Sequence, residues 1–414
     1  MNTLKIPSNS YSYKKMPFGD KSISHRALIL AAIAHERSII NNIGICDDVL
    51  STAECLRKLG AKIIFDNEKV TVIPFKKPND NVVLDCGNSG TTARLLGGLV
   101  AGLRIHAKFV GDASLTKRPI RITEPSTAMG AKIKVGKDCL FEIFPSVLSG
   151  INYNTPYVSA QIKSSILLAG LNANGETTVT ETVKTRTHTE NMLKDFDANI
   201  TQNGNSTTAR KSALKGTNLT IPNDFSTAAF LLPIGLKKGI TVDNIILSKE
   251  RTGFLRVLEK AESKITIVQT GDFCGEPIGS VEVEPSQIQP LKVNAKDIPD
   301  MIDEIPVACL TACLADGVSE FFGLGELKHK ESDRISTTVK LINSIGCKAE
   351  IMDDGIKIFG NGKIIGGTVN SYGDHRIAMS AVIAGILSSE GVTLNGAECI
   401  GVSSKNFLKI LGLE

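Results

Sequence analysis

Nine cations, Lys21, Arg26, Arg94, Arg118, Lys163, Arg186, Lys330, Arg334 and Arg376, stand at or beside the starts of apolar helical patterns, with the acids Asp303, Glu331 and Asp374 among them. A helix start offers unpaired N–H groups and a partial positive charge, so each of these places suits an anion. Arginine grips a phosphate or carboxylate with two parallel N–H groups, and each phosphate brings about 1.5 to 2 negative charges. So many cations suit ligands that carry several such groups between them, while the acids supply what proton transfer needs. A single arginine at a helix start is more often a solvated or locally paired charge, and Lys330-Glu331-Ser332-Asp333-Arg334 alone could be surface pairing. Recurrence along the chain weighs against that reading.

The recurrence defines the elements. Asp20-Lys21-Ser22-Ile23-Ser24-His25-Arg26, Gly87-Asn88-Ser89-Gly90-Thr91-Thr92-Ala93-Arg94, Ser159-Ala160-Gln161-Ile162-Lys163-Ser164, Asp224-Phe225-Ser226-Thr227-Ala228-Ala229, Asp303-Glu304-Ile305-Pro306-Val307-Ala308 and Gly373-Asp374-His375-Arg376-Ile377-Ala378 each place polar starters before an apolar run. They lie about 65 to 80 residues apart, which reads as a sixfold internal repeat. Between them, Ala61–Phe65, Lys69–Ile73, Thr177–Thr180 and Gly355–Phe359 alternate like strands paired across turns. Leu50–Gly60 and Thr338–Gly346 read as second helices that end on a C-terminal glycine. Gly360–Gly367 reads as a strand-turn-strand hairpin. Each repeat is then an α/β unit, and 414 residues suit two domains of three repeats. The expected division is 20–223, and 1–19 with 224–414, the chain crossing twice at the hinge.

Bulk composition excludes other classes. The 47 basic and 43 acidic residues nearly cancel, so no overall field favours nucleic acid or a membrane surface. No apolar run approaches the roughly 20 residues that cross a bilayer, and Met1–Pro17 has no apolar leader segment, so a cytoplasmic protein is expected. The nine cysteines lack metal or redox spacing, Cys309 and Cys313 read as one buried helix face, and the six histidines do not cluster. Neither a metal nor an organic cofactor is expected, and P-loop and serine-hydrolase elbow motifs are absent.

The ordered motifs Asp20-Lys-Ser-Ile-Ser-His-Arg, Gly87-Asn-Ser-Gly-Thr-Thr-Ala-Arg, Gly111-Asp-Ala-Ser-Leu-Thr-Lys-Arg-Pro, Ser159-Ala-Gln-Ile-Lys-Ser, Arg186-Thr-His-Thr-Glu, Lys330-Glu-Ser-Asp-Arg and Asp374-His-Arg resemble those of the 5-enolpyruvylshikimate-3-phosphate synthase family, over nearly the whole chain. The resemblance implies an α/β fold of two domains, each of three βαβαββ units arranged like an inside-out barrel, with the active site in a cleft between them. It implies a transferase that moves the enolpyruvyl group of phosphoenolpyruvate to the 5-hydroxyl of shikimate 3-phosphate, by addition and elimination, on the route to chorismate and the aromatic amino acids. A monomer acting on those two small molecules is expected.

By the same resemblance, Asp303 holds and deprotonates the hydroxyl, Glu331 donates a proton to the enol carbon, and Lys21 assists at phosphoenolpyruvate. Gly90, Arg94, Arg118, Gln161, Arg334, Arg376 and Lys405 match the remaining phosphoenolpyruvate contacts. Ser22, Arg26, Ser159, Gln161, Thr185, Arg186, Asp303 and Lys330, with Lys21, match the shikimate 3-phosphate site. Gly90 is expected to set sensitivity to glyphosate, the phosphonate that occupies the phosphoenolpyruvate site in this family. Phe18 in place of a direct Pro-Gly step, Thr187 in place of an aspartate, and the absence of a Phe-Pro near Lys405 depart from the family pattern. The alternative, the sister enzyme acting on UDP-N-acetylglucosamine, is disfavoured because Val110–Pro119 has no cysteine and Lys21 is followed by serine.

Overall fold

The computed structural model describes residues 2–67, 69–136 and 138–414. All six polar starters open helices: Lys21–Ile33, Gly90–Leu103, Ala160–Gly170, Phe225–Ala228, Ile305–Ala312 and His375–Leu387. In four of them the starter side chain takes a helix N–H, namely Asp20 from Ile23, Ser89 from Thr92, Asp224 from Thr227 and Asp374 from Arg376. Ser159 and Glu304 hold the same position without a side-chain cap among the described residues. These helices are apolar nearly all round, and a helix of that kind must lie inside. His375–Leu387 buries every residue but Leu387. The second helix of each repeat is amphipathic and covers one flank, as in Asp47–Lys58 and Arg334–Ser344, with Gly60 and Gly346 following at φ +111° and +83°.

The chain clusters into two compact units, Gly19–Ile221 and Met1–Phe18 with Pro222–Glu414. In the first, three four-stranded sheets share one plan, seen plainly in the second repeat. There Val82–Asp85 runs parallel to Ala107–Val110, which pairs antiparallel with Phe141–Phe144, and that strand pairs with Lys132–Lys134. The first repeat takes its parallel strand, Asn218–Thr220, from the far end of the unit. Gly98 permits helix Gly90–Leu103 to meet helix Ala160–Gly170, since a Cβ on it would lie 2.0 Å from the carbonyl oxygen of Ser165.

The other unit repeats the plan with two substitutions. Its first repeat keeps only a parallel bridge, Asn223 to Ile245, where a leading strand would be. Its last repeat closes with the N-terminal strand Thr3–Ile6 antiparallel to Val392–Asn395. Phe225, Phe230, Leu310, Ile342, Ile383 and Phe407 belong to its continuous core.

Two expectations need correction. Gly360–Gly367 is no hairpin: Gly355–Asn361 and Gly367–Asn370 enter different sheets. Gly366 and Gly367 instead pass close to other backbone, where a Cβ would lie 2.1 Å from Gly391 O and 2.3 Å from Ser344 O. The helix begun at Asp224 also stops at Ala228 and restarts as Leu232–Lys238, with Pro233 at the new start, because proline has no N–H to continue the earlier helix.

Candidate functional site

In the unit Gly19–Ile221, the first two turns of helix Lys21–Ile33 carry Lys21, Ser22 and Arg26. Lys21 Nζ meets Asp48 Oδ2 at 2.9 Å, with both side chains largely buried. Arg26 is fixed on three sides, by Thr189 Oγ1 at 2.7 Å, Ser22 O at 2.8 Å and Ser164 Oγ at 3.0 Å. His25, between them and fully buried, bonds Thr52 Oγ1 through Nδ1 at 2.7 Å, and the chain of hydroxyls continues to Thr92 and Ser89. Burial, and then the charges of Lys21 and Arg26, hold its basicity well below the usual histidine range.

Arg94, Gly90, Arg118 and Gln161 form a second group. Arg94 donates to Ile120 O, Pro119 O and Gln161 Oε1 at 3.2, 2.6 and 2.8 Å, and Gln161 Nε2 donates to Thr91 Oγ1 at 2.9 Å. Arg118 Nη2 is anchored on Asn88 O and Oδ1, at 2.6 and 2.7 Å. Gly90 opens helix Gly90–Leu103 at an ordinary negative φ; the turn that needs a left-handed residue is at Gly87, φ +54°. No left-handed turn therefore calls for glycine at Gly90.

The third group departs from expectation. Lys163 does not face an anion site: its side chain is 1% exposed, and Nζ lies 2.8 Å from Glu181 Oε2 and 2.7 Å from Glu190 Oε1. Burial works against its charge, but Glu190 and Glu181 outweigh it and raise its pKa. Its role is to hold the segment after strand Thr177–Glu181, because Glu181 also accepts from Thr185 Oγ1 and from Thr185 N at 3.4 Å. Arg186 follows, half-buried, and Ser159 is half-buried at the start of Ala160–Gly170.

In the other unit, Arg334 is the centre. It is 1% exposed and receives acids on every donor side: Asp374 on Nε at 2.9 Å, Glu331 on Nη2 at 2.5 Å and Asp303 facing Nη1 at 3.6 Å. Burial opposes its charge, yet Asp374, Glu331 and Asp303 more than offset that and raise its pKa. Asp303 also faces Lys330 Nζ at 3.4 Å, and the side chains of Asp303 and Glu331 keep 21% and 17% of their surface open. Two carboxylates on opposite arms of one guanidinium, both reachable, make a pair able to take and give protons. Arg376 is buried, its N donating to Asp374 Oδ1 at 2.9 Å, its Nη1 3.4 Å from Ser226 O and its guanidinium over Phe230. Lys405 is exposed, two residues before helix Phe407–Ile410.

Sequence reasoning missed Arg251 and Glu304. Both are buried, with Arg251 Nη2 3.3 Å from Asp224 Oδ1 and Nη1 3.5 Å from Glu304 Oε1. The faint signal was Lys249-Glu250-Arg251, which parallels Lys330-Glu331 and Arg334 one repeat later.

The model of the family described as EPSP synthase (3-phosphoshikimate 1-carboxyvinyltransferase) matches residues 16–411. A 3-phosphoshikimate 1-carboxyvinyltransferase of Desulfitobacterium hafniense is 39% identical over 406 residues, 95% of this chain and 93% of the relative. That of Bacillus cereus is also 39% identical, over 95% and 94%. The structure of an EPSP synthase from Acinetobacter baumannii superimposes with a TM-score of 0.86 at 34% identity, over 99% of this chain and 97% of the other. The enolpyruvyl transferase NikO of Streptomyces tendae, at 14% identity and a TM-score of 0.79, shares the fold.

Proposed function

The chain belongs to the EPSP synthase family, and from that premise we propose that it transfers the enolpyruvyl group of phosphoenolpyruvate to the 5-hydroxyl of shikimate 3-phosphate, releasing phosphate. The observation that carries the chemistry is the Arg334 cluster, where Asp303 and Glu331 sit on opposite arms of one buried guanidinium. Asp303 takes the proton of the 5-hydroxyl as its oxygen bonds to C2 of phosphoenolpyruvate, and Glu331 gives a proton to C3. The resulting tetrahedral adduct loses phosphate from C2 and a proton from C3, which leaves the enol ether. Arginines and lysines hold the leaving phosphate in the manner of any preorganised cation clamp.

The reading divides the ligands between the two units. Lys21, Gly90, Arg94, Arg118 and Gln161 are assigned to phosphoenolpyruvate with Arg334, Arg376 and Lys405. Ser22, Arg26, Ser159, Thr185 and Arg186 are assigned to shikimate 3-phosphate with Asp303 and Lys330. Support comes from how the cations are held: Arg26 and Arg94 are each fixed by three hydrogen bonds to the protein, which preorganises their guanidinium groups. The enzyme is taken to act as a cytoplasmic monomer; among the described residues, no helix is long and apolar enough to cross a membrane.

Turnover with alternative acceptors tests the reading. Phosphate release should require shikimate 3-phosphate, persist in chelator, and fail with UDP-N-acetylglucosamine. Release with the nucleotide sugar in place of shikimate 3-phosphate would overturn it.

A further inference from the structure

Arg251 and Arg334 occupy the same place in successive repeats, and each ties the helix start of its own repeat to that of the next. Arg334 joins Asp303 to Asp374, while Arg251 joins Asp224 to Glu304. We propose that Arg251 and Glu304 are positioning residues for the transfer reaction, a brace that touches no substrate but fixes Asp303 and Arg376; this rests on the function proposed above.

The path is short and buried throughout. Arg251 is 1% exposed and Glu304 0%. Asp224 caps helix Phe225–Ala228 by accepting from Thr227 N at 3.1 Å, so Arg251 at 3.3 Å fixes that helix start. Glu304 Oε1 accepts from Ser226 Oγ in the same turn, and the carbonyl of Ser226 receives Nη1 of Arg376 at 3.4 Å. Glu304 follows Asp303 directly, so the torsions that aim one carboxylate constrain the other. Glu304 Oε2 finds no hydrogen-bond donor among the described residues. A carboxylate buried with one oxygen unsatisfied is a costly way to stabilise a core, since an apolar replacement of the whole pair is often neutral. The arrangement is better suited to holding a geometry.

The test uses the full chain with Arg251→Lys, Glu304→Gln and the double substitution Arg251→Met/Glu304→Gln. Removing both charges leaves only Asp224 of the three, still accepting from Thr227 N, so the double variant should melt closer to the parent than loss of Arg251 alone would allow. Through Arg376, its KM for phosphoenolpyruvate should rise about tenfold or more, and through Asp303 its kcat should fall by a similar factor, as small misplacements of reacting groups do. The KM for shikimate 3-phosphate should change less than about twofold. Arg251→Lys, which keeps the cation and loses the fork, should show the same split in smaller measure. If the double variant fails to fold, Arg251→Lys decides.

Parental kinetic constants in a folded variant overturn the brace, as do losses that fall equally on both substrates and follow melting temperature. A parent enzyme without turnover would count against the proposed function and not against the brace. Backbone amide exchange over 303–308 and 375–378 then reads the brace directly: it quickens in a folded variant if the brace holds those starts, and unchanged exchange overturns it.

Discussion

A Cβ on Gly90 would stand 2.5 Å from Nη1 of Arg94, and 3.8 Å from Nη1 of Arg118. That atom is the far end of a flexible side chain, so the guanidinium can shift on its anchors at Ile120 O, Pro119 O and Gln161 while the added methyl narrows the space beside it. Gly90→Ala should therefore raise the inhibition constant of glyphosate much more than the KM for phosphoenolpyruvate, since the longer ligand has less room to adjust. The backbone there is helical, so the melting temperature should hardly move. Equal loss of both ligands, measured by steady-state inhibition, would refute this.

Asp303→Asn should lower kcat by at least about a hundredfold while leaving shikimate 3-phosphate affinity within a few fold. The amide can still hydrogen-bond the hydroxyl but cannot accept its proton. Calorimetric binding beside steady-state kinetics checks it, and an unchanged kcat would remove Asp303 from the proton path.

His25 gives a pH prediction. Its folded pKa lies below the unfolded value, so the unfolded chain takes a proton that the native state refuses. Its contribution is present in full above about pH 6.5 and is lost as pH falls toward the folded pKa, with a limiting slope of about 1.4 kcal/mol per pH unit. Denaturation midpoints from pH 7.5 to 5 should fall more steeply in the parent than in His25→Asn. Parallel curves would contradict this account.

Lys163→Met should destabilise by about 3 to 5 kcal/mol, because Glu181 and Glu190 would remain buried without their cation. A lysine whose pKa is raised keeps this contribution at all pH values below its unfolded pKa and loses it only as pH rises through the folded one. The KM for shikimate 3-phosphate should rise in the same variant, since Thr185 loses its fixed acceptor. Urea unfolding and kinetics test both parts.

The six helix starts were legible because capping chemistry is local: a serine or aspartate at the right place before an apolar run needs no distant partner. Asp303, Glu331 and Arg334 were legible as ordered motifs. Lys163 was misread for the converse reason. A lysine three residues into a helix looks the same whether it meets solvent or two buried acids, and those acids lie 18 and 27 residues further on. Arg251 and Glu304, 53 residues apart, were hidden in the same way. Gly366 and Gly367 looked like turn formers, but what requires them is close approach to Gly391 and Ser344, which only the packed chain reveals.

The most direct test of enolpyruvyl transfer is one reaction run in deuterium oxide with phosphoenolpyruvate and shikimate 3-phosphate, followed by phosphorus NMR and mass spectrometry. The account predicts one phosphate released per enol ether formed, with deuterium in the vinyl methylene of part of the product, because C3 is protonated from solvent-exchanged groups and then deprotonated. Phosphate without the ether, or ether formed with no deuterium at that carbon, would contradict it.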